Sequence, residues 1–121
     1  MKNPLYKSFG YALHGFWVAL KTERNLKIHI AASVVAVGVG IYVGLSAVAW
    51  GLVILAIGLV LVAELFNTAV EKYGDKTSGG KYDDIIRMGK DISAAAVLVA
   101  AIVALAIGII ILIIPFFQKV F

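Results

Sequence analysis

Residues 30–63 read IAASVVAVGVGIYVGLSAVAWGLVILAIGLVLVA, 34 consecutive positions without a charge. About 20 apolar residues carry a helix across the hydrocarbon of a bilayer, so a run this long predicts a fold-back rather than one crossing. The aliphatic series is interrupted at Gly44-Leu45-Ser46, where turn-forming residues stand together. The chain is therefore expected to cross over about 26–43, turn, and return over about 48–69. A second uncharged stretch, 92–118, predicts a third crossing over about 92–114, ended by Pro115.

The rest of the composition agrees. Hydrophobic residues make up 62% of the 121 positions and charged residues 15%, with a mean hydropathy of +0.99. A soluble domain carries about a quarter charged residues, so a water-soluble globular domain, a disordered chain and a disulfide scaffold are excluded. The absence of cysteine excludes thiolate metal sites and thiol catalysis. The length allows one domain. Ahead of the first crossing, in 1–25, Leu5, Phe9, Ala12, Leu13, Phe16 and Leu20 recur at helical spacing, with Lys7, Tyr11 and His14 largely opposite. That pattern predicts an amphipathic helix lying at the membrane interface. It holds no compact apolar core of the kind a cleavable signal peptide needs. The expected fold is an all-α membrane protein: an N-terminal amphipathic interfacial helix followed by three transmembrane helices.

Basic residues set the expected orientation. Lys2, Lys7, Lys21, Arg24 and Lys27 flank the first crossing, and Lys72, Lys76, Lys81, Arg87 and Lys90 lie in 71–91, expected as a loop. The turn at Ser46 has none and the C-terminal end only Lys119. The N-terminus and the 71–91 segment should therefore face the cytoplasm, and the C-terminus the outside. The same anchoring explains a pI near 9.4 without nucleic acid, for which no aromatic-basic recognition motif is present.

The seven carboxylates carry the functional reading. Glu64 follows 17 apolar residues, 47–63, about 25 Å of helix that sets it at the edge of the hydrocarbon. An ionisable group at that depth is costly and points to function. In 64–71, ELFNTAVE, offsets of three and seven put Glu64, Asn67 and Glu71 on one helix face, and Asp75 continues it if the helix persists. Such a column suits chemistry between a lipid headgroup and a charged, water-soluble reactant. Glu71, about 10 Å nearer water, can hold a hard cation such as Mg²⁺ together with phosphate oxygens. Glu64, partly desolvated, is placed to act as a general base. Lys90 can neutralise phosphate as a point charge. Asp91 is expected in the first turn of the third crossing, where its charge favours the helix N-terminus. Ala94-Ala95-Ala96 permits close helix approach. Gly79-Gly80 matches no Walker or Rossmann spacing. One copy of the chain has too few helices to shield Glu64 and Asn67 from lipid, which predicts an oligomer.

The interfacial helix, the three crossings, Ala63-Glu-Leu-Phe-Asn-Thr-Ala-Val-Glu71, and Lys90-Asp91 ahead of an alanine-rich span resemble the prokaryotic diacylglycerol kinase family, which includes undecaprenol kinases of Gram-positive bacteria. Thr22-Glu-Arg-Asn-Leu-Lys-Ile-His29 looks most like the undecaprenol branch. The resemblance implies a homotrimer of the bacterial inner membrane with active sites between adjacent subunits. It implies transfer of the ATP γ-phosphate to a membrane lipid alcohol, with Mg²⁺: diacylglycerol to phosphatidic acid, or undecaprenol to undecaprenyl phosphate. Glu64 then corresponds to the catalytic base, Asn67 to a polar residue supporting it, and Glu23 and Glu71 to the metal carboxylates of the nucleotide site. Tyr11, Lys90 and Asp91 match nucleotide-site positions, and Lys81, Tyr82 and Asp83 fall in the nucleotide-contacting loop. Asp83 stands where the family commonly has His, His14 where it has Lys, and His29 in place of an acid of the diacylglycerol branch.

The competing expectation is a small proton-coupled multidrug transporter using membrane-embedded Glu64. Such proteins typically carry that acid in the first of four spans, whereas here it ends the second. The charged segment 71–91 also suits a nucleotide site better than a transporter turn.

Overall fold

The computed structural model describes residues 4–121. Lys2, counted in the basic flank, lies outside the described residues, as does the start of the 1–25 segment. The described chain runs α1 (Leu5–Thr22), α2 (Arg24–Val43), α3 (Ala47–Ser78) and α4 (Asp84–Gly108), then a π-helical turn (Ile109–Ile113) and α5 (Ile114–Val120), with no strand among the described residues. Three helical segments, α2, α3 and the rod from α4 to α5, are long and apolar enough to cross a membrane. With the N-terminal α1 they form the expected all-α membrane fold.

The fold-back lies at the predicted break. Gly44 ends α2 at φ +80°, a left-handed conformation that glycine adopts without strain. Ser46 then caps α3, its Oγ accepting the Ala49 N–H at 3.2 Å. At the other end of α2, Glu23 is extended (φ −109°, ψ 113°) and separates it from α1.

α3 is the central element, packed most extensively on α4 and next on α2. Its buried face is Val53, Ala56, Val60, Glu64 and Thr68, a stripe at three- and four-residue spacing whose last two members are polar. Among the described residues, Ala19 of α1, Leu26 of α2, Ala100 of α4 and Leu112 of the π turn are the other buried apolar side chains. Small residues such as Ala56 and Ala100 let helices approach closely where lipid supplies no hydrophobic drive. Outward aliphatics such as Val34, Leu55 and Ile102 remain exposed in one copy of the chain.

Three boundaries differ from expectation. The 71–91 segment is a helical hairpin rather than a loop: α3 runs on to Ser78 and α4 starts at Asp84. The Asp83 carboxylate accepts the N–H groups of Ile85 (2.9 Å) and Ile86 (3.0 Å), starting α4 early. Lys90 of α4 bridges to Glu71 and Asp75 of α3 and holds the two extensions together. As a result Asp91 lies about two turns inside α4, not in its first turn, and pairs with Arg87 at 3.3 Å. Pro115, finally, does not end the third long helix. The Ile114 N–H bonds to the Ile109 carbonyl, the wider i→i+5 pattern that accommodates a ring without an N–H, and α5 continues to Val120.

Candidate active site

The column on α3 is present and splits into two environments. The Glu64 side chain is 2% exposed, and its Oε2 has no hydrogen-bond partner. Buried polar atoms are normally paired, and among the described residues this oxygen is an acceptor without a donor. Opposite it stands His29 of α2, with Nε2 at 3.7 Å, beyond hydrogen-bonding range. Thr68 Oγ1 donates to the Glu64 carbonyl at 2.9 Å and fixes that turn of the helix. Asn67 Oδ1 accepts from Ser93 Oγ of α4 at 2.7 Å, and the same hydroxyl lies 2.9 Å from the Lys90 carbonyl.

Two turns on, Glu71 is half-buried and Oε2 lies 3.4 Å from Lys90 Nζ. Lys90 also pairs with Asp75. It reaches both acids because Gly74 lies between them: a Cβ there would stand 2.9 Å from Lys90 Cε and 3.0 Å from Ile86 Cγ2. The hydrogen bond that Lys90 donates to Asp75, with Glu71 beside it, holds the Lys90 ammonium above its ordinary range. Glu23, at the α1–α2 junction, lies 3.7 Å from Lys72 of α3 and bears electrostatically on Glu64.

The structure thus gathers Asn67, Glu71 and Lys90 along the α3–α4 seam, with Glu64 facing His29 of α2 and Glu23 at the α1–α2 junction. Tyr11 is exposed on α1, Lys81 and Tyr82 are exposed in the 79–83 connection, and Asp91 is exposed on α4 beside Arg87. Asp83 is engaged as the α4 cap. One copy of the chain already buries Glu64, so the shielding of this acid requires no second subunit, contrary to expectation. Sequence reasoning left two contributors without a role, Ser93 and His29. A signal for His29 existed: it lies 17 residues before Ser46 and Glu64 lies 18 after, so a hairpin closed there sets them opposite each other.

A groove of about 960 Å³ runs between α1 and α3, with Phe9, Leu13 and Phe16 on one side and Thr68, Lys72 and Lys76 on the other. Among the described residues, no group of three or more His, Cys, Asp or Glu side chains forms a metal site. Glu23 and Glu71 instead offer single carboxylates. That donor set fits a hard cation that arrives with phosphate oxygens and takes one or two carboxylates.

Residues 10–112 match the family described as Prokaryotic diacylglycerol kinase. The chain is similar to the undecaprenol kinase of Bacillus subtilis, 37% identical over 109 residues that cover 90% of this chain and 88% of that protein. It is 38% identical to a diacylglycerol kinase of Synechocystis over 104 residues, 86% of this chain and 59% of the longer relative. A diacylglycerol kinase of Escherichia coli is 31% identical over 100 residues, 83% of this chain and 81% of that one.

Proposed function

The chain belongs to the prokaryotic diacylglycerol kinase family and is a lipid kinase, and from that premise we propose that it transfers the γ-phosphate of ATP to the hydroxyl of a membrane lipid, diacylglycerol or undecaprenol. The observation that carries this reading is the buried Oε2 of Glu64, an acceptor without a donor on the helix face shared with Asn67 and Glu71. The lipid hydroxyl donates to that oxygen, and Glu64 takes its proton as the alcohol oxygen attacks phosphorus. General-base assistance of this kind is worth about 10²–10⁴ in rate. Asn67, tied to α4 through Ser93, keeps the Glu64 turn in register against the nucleotide side.

Phosphoryl transfer asks the protein mainly for positioning and charge neutralisation. Glu23 and Glu71 would hold Mg²⁺, which would supply charge neutralisation for the transferred phosphate. Lys90 exchanges its carboxylate partners for phosphate when nucleotide binds. Tyr11, Lys81, Tyr82, Asp83 and Asp91 are assigned to the nucleotide side, Asp83 through the cap that shapes the 79–83 connection. The α1–α3 groove, apolar with Lys72 and Lys76 at one side, guides the lipid, with α1 lying at the interface. The N-terminus and the 79–83 connection face the cytoplasm and the C-terminus the outside of the bacterial inner membrane, supported by the basic flanks. The working form is a homotrimer with sites between subunits. Most apolar side chains of the crossings are exposed in one copy, which leaves room for helix contacts between copies.

The transporter reading is not favoured, since the relatives are named kinases. The test is phosphorylation of diacylglycerol and of undecaprenol by radiolabelled ATP in detergent micelles. Label should enter phosphatidic acid or undecaprenyl phosphate, and label in neither lipid overturns the reading.

A further inference from the structure

A base buried as deeply as Glu64 turns over only if the proton it accepts can leave. With 2% of the side chain exposed, water does not take it directly. The titratable and charged groups facing Glu64 are few. On α3, Glu71 is held by Lys90. From α4, Lys90 is drawn away toward Glu71 and Asp75. At the α1–α2 junction, Glu23 is a like charge bearing on Glu64 and is itself paired with Lys72. From α2 comes His29, with Nε2 3.7 Å from Glu64 Oε2 and a side chain 24% exposed.

We propose that His29 is the proton outlet of Glu64, an inference that rests on Glu64 being the base. As the lipid oxygen bonds to the γ-phosphorus and the bond from that phosphorus to the bridging oxygen of ADP breaks, the hydroxyl proton passes to Glu64 Oε2. It then moves to His29 Nε2, and the imidazolium releases it to water. One proton enters and one leaves per turnover. Histidine is the side chain whose ordinary titration range allows both steps near neutral pH.

The surroundings of His29 suit this route. It lies five residues after the α2 start at Arg24, about 7.5 Å along the helix, with Asn25 and Lys27 between it and the polar end. Its side chain lines an apolar groove of about 420 Å³ bounded by α2, α3, α4 and the π-helical turn. Ser33 Oγ donates to the His29 main-chain carbonyl at 2.7 Å, so this hydroxyl does not occupy the ring nitrogens. His29 acts through Glu64 and does not touch the reacting atoms, so it is a positioning residue.

The experiment compares His29→Gln, His29→Ala and Glu64→Gln in the full chain, in micelles of the accepted lipid. His29→Gln should lower kcat by at least about tenfold, leave KM for MgATP and lipid unchanged, and shift the acid limb of the pH profile of kcat, leaving only the limb that Glu64 sets. Added imidazole should restore part of the His29→Ala rate, most where imidazole is unprotonated; a purely structural role gives neither effect. Wild-type kcat and pH profile in His29→Gln, with Glu64→Gln inactive, overturn the proton outlet alone. Wild-type turnover in Glu64→Gln overturns the base assignment and the outlet with it. If the His29 variants do not fold, ¹⁵N NMR of the native ring decides. Its titration should move when Glu64 becomes Gln, and an unmoved titration overturns the proposal.

Discussion

Glu64 and Glu71 occupy one face of α3 two turns apart, yet the two regions around them have little in common. The turn at Glu64 is closed: Thr68 buries with it, His29 stands opposite, and one carboxylate oxygen has no hydrogen bond. The turn at Glu71 is open and crowded with charge, Lys90 lying between it and Asp75. Depth and neighbouring charge thus give the same residue type two different environments. An unpaired buried carboxylate can receive a proton, whereas a half-exposed one already neutralised by a lysine can exchange that lysine for a metal ion.

The comparison is broken most directly at Glu64. Glu64→Gln should lower kcat by about 10²–10⁴, extra Mg²⁺ should not restore it, and the protein should remain folded because a neutral amide is easier to bury than a carboxylate. Labelled-lipid assays and gel filtration check both halves, and near-normal turnover would make Glu64 a structural acid. Glu71→Gln should instead weaken apparent affinity for MgATP by about tenfold, equivalent to about 1.4 kcal/mol. Raising Mg²⁺ should partly recover the rate, with kcat at saturation moving less. A pure kcat loss there would erase the distinction.

Smaller effects sharpen it. Gly74→Ala places a Cβ against Lys90 Cε and Ile86 Cγ2, so KM for MgATP should rise a few-fold while the Glu64-dependent step is untouched. The smallest effect concerns pH. The Lys90 ammonium, held above its ordinary 10.5 by Asp75, contributes stability that is fully present below that value. The contribution is lost as pH rises through the higher native value. Circular dichroism of the native chain should show extra alkaline loss of helix relative to Lys90→Met, and identical profiles would show that the lysine bridge does not hold the hairpin.

What was legible in the chain followed from local chemistry. The fold-back at Gly44–Ser46 combines a left-handed glycine with a serine cap, both readable in place, and the Glu64-Asn67-Glu71 column needs only helical periodicity. The extensions of α3 and α4 were hidden because charged residues past an apolar run look like a loop flank. Their helicity depends on Lys90 meeting acids 15 and 19 positions away in sequence. Pro115 misled for the opposite reason: a sound local rule was overridden by a wider turn. His29 and Ser93 act across helices, and only the hairpin geometry shows the first.

That wider turn at Ile109–Ile113 also sets the phase of everything after it. One additional residue in a turn rotates the following helix by about 100° relative to a regular continuation. With that rotation Phe116 lies 5.6 Å from the Tyr42 ring, and Lys119 sits 4.6 Å over the same ring while donating to the Tyr42 carbonyl. Without it, the tail of the third crossing would present Phe116 and Lys119 a quarter-turn away from the end of α2. The π turn therefore acts as a clutch between the apolar rod and its terminal latch, and deleting a single isoleucine from 109–113 would disengage the one while leaving the other long enough to span.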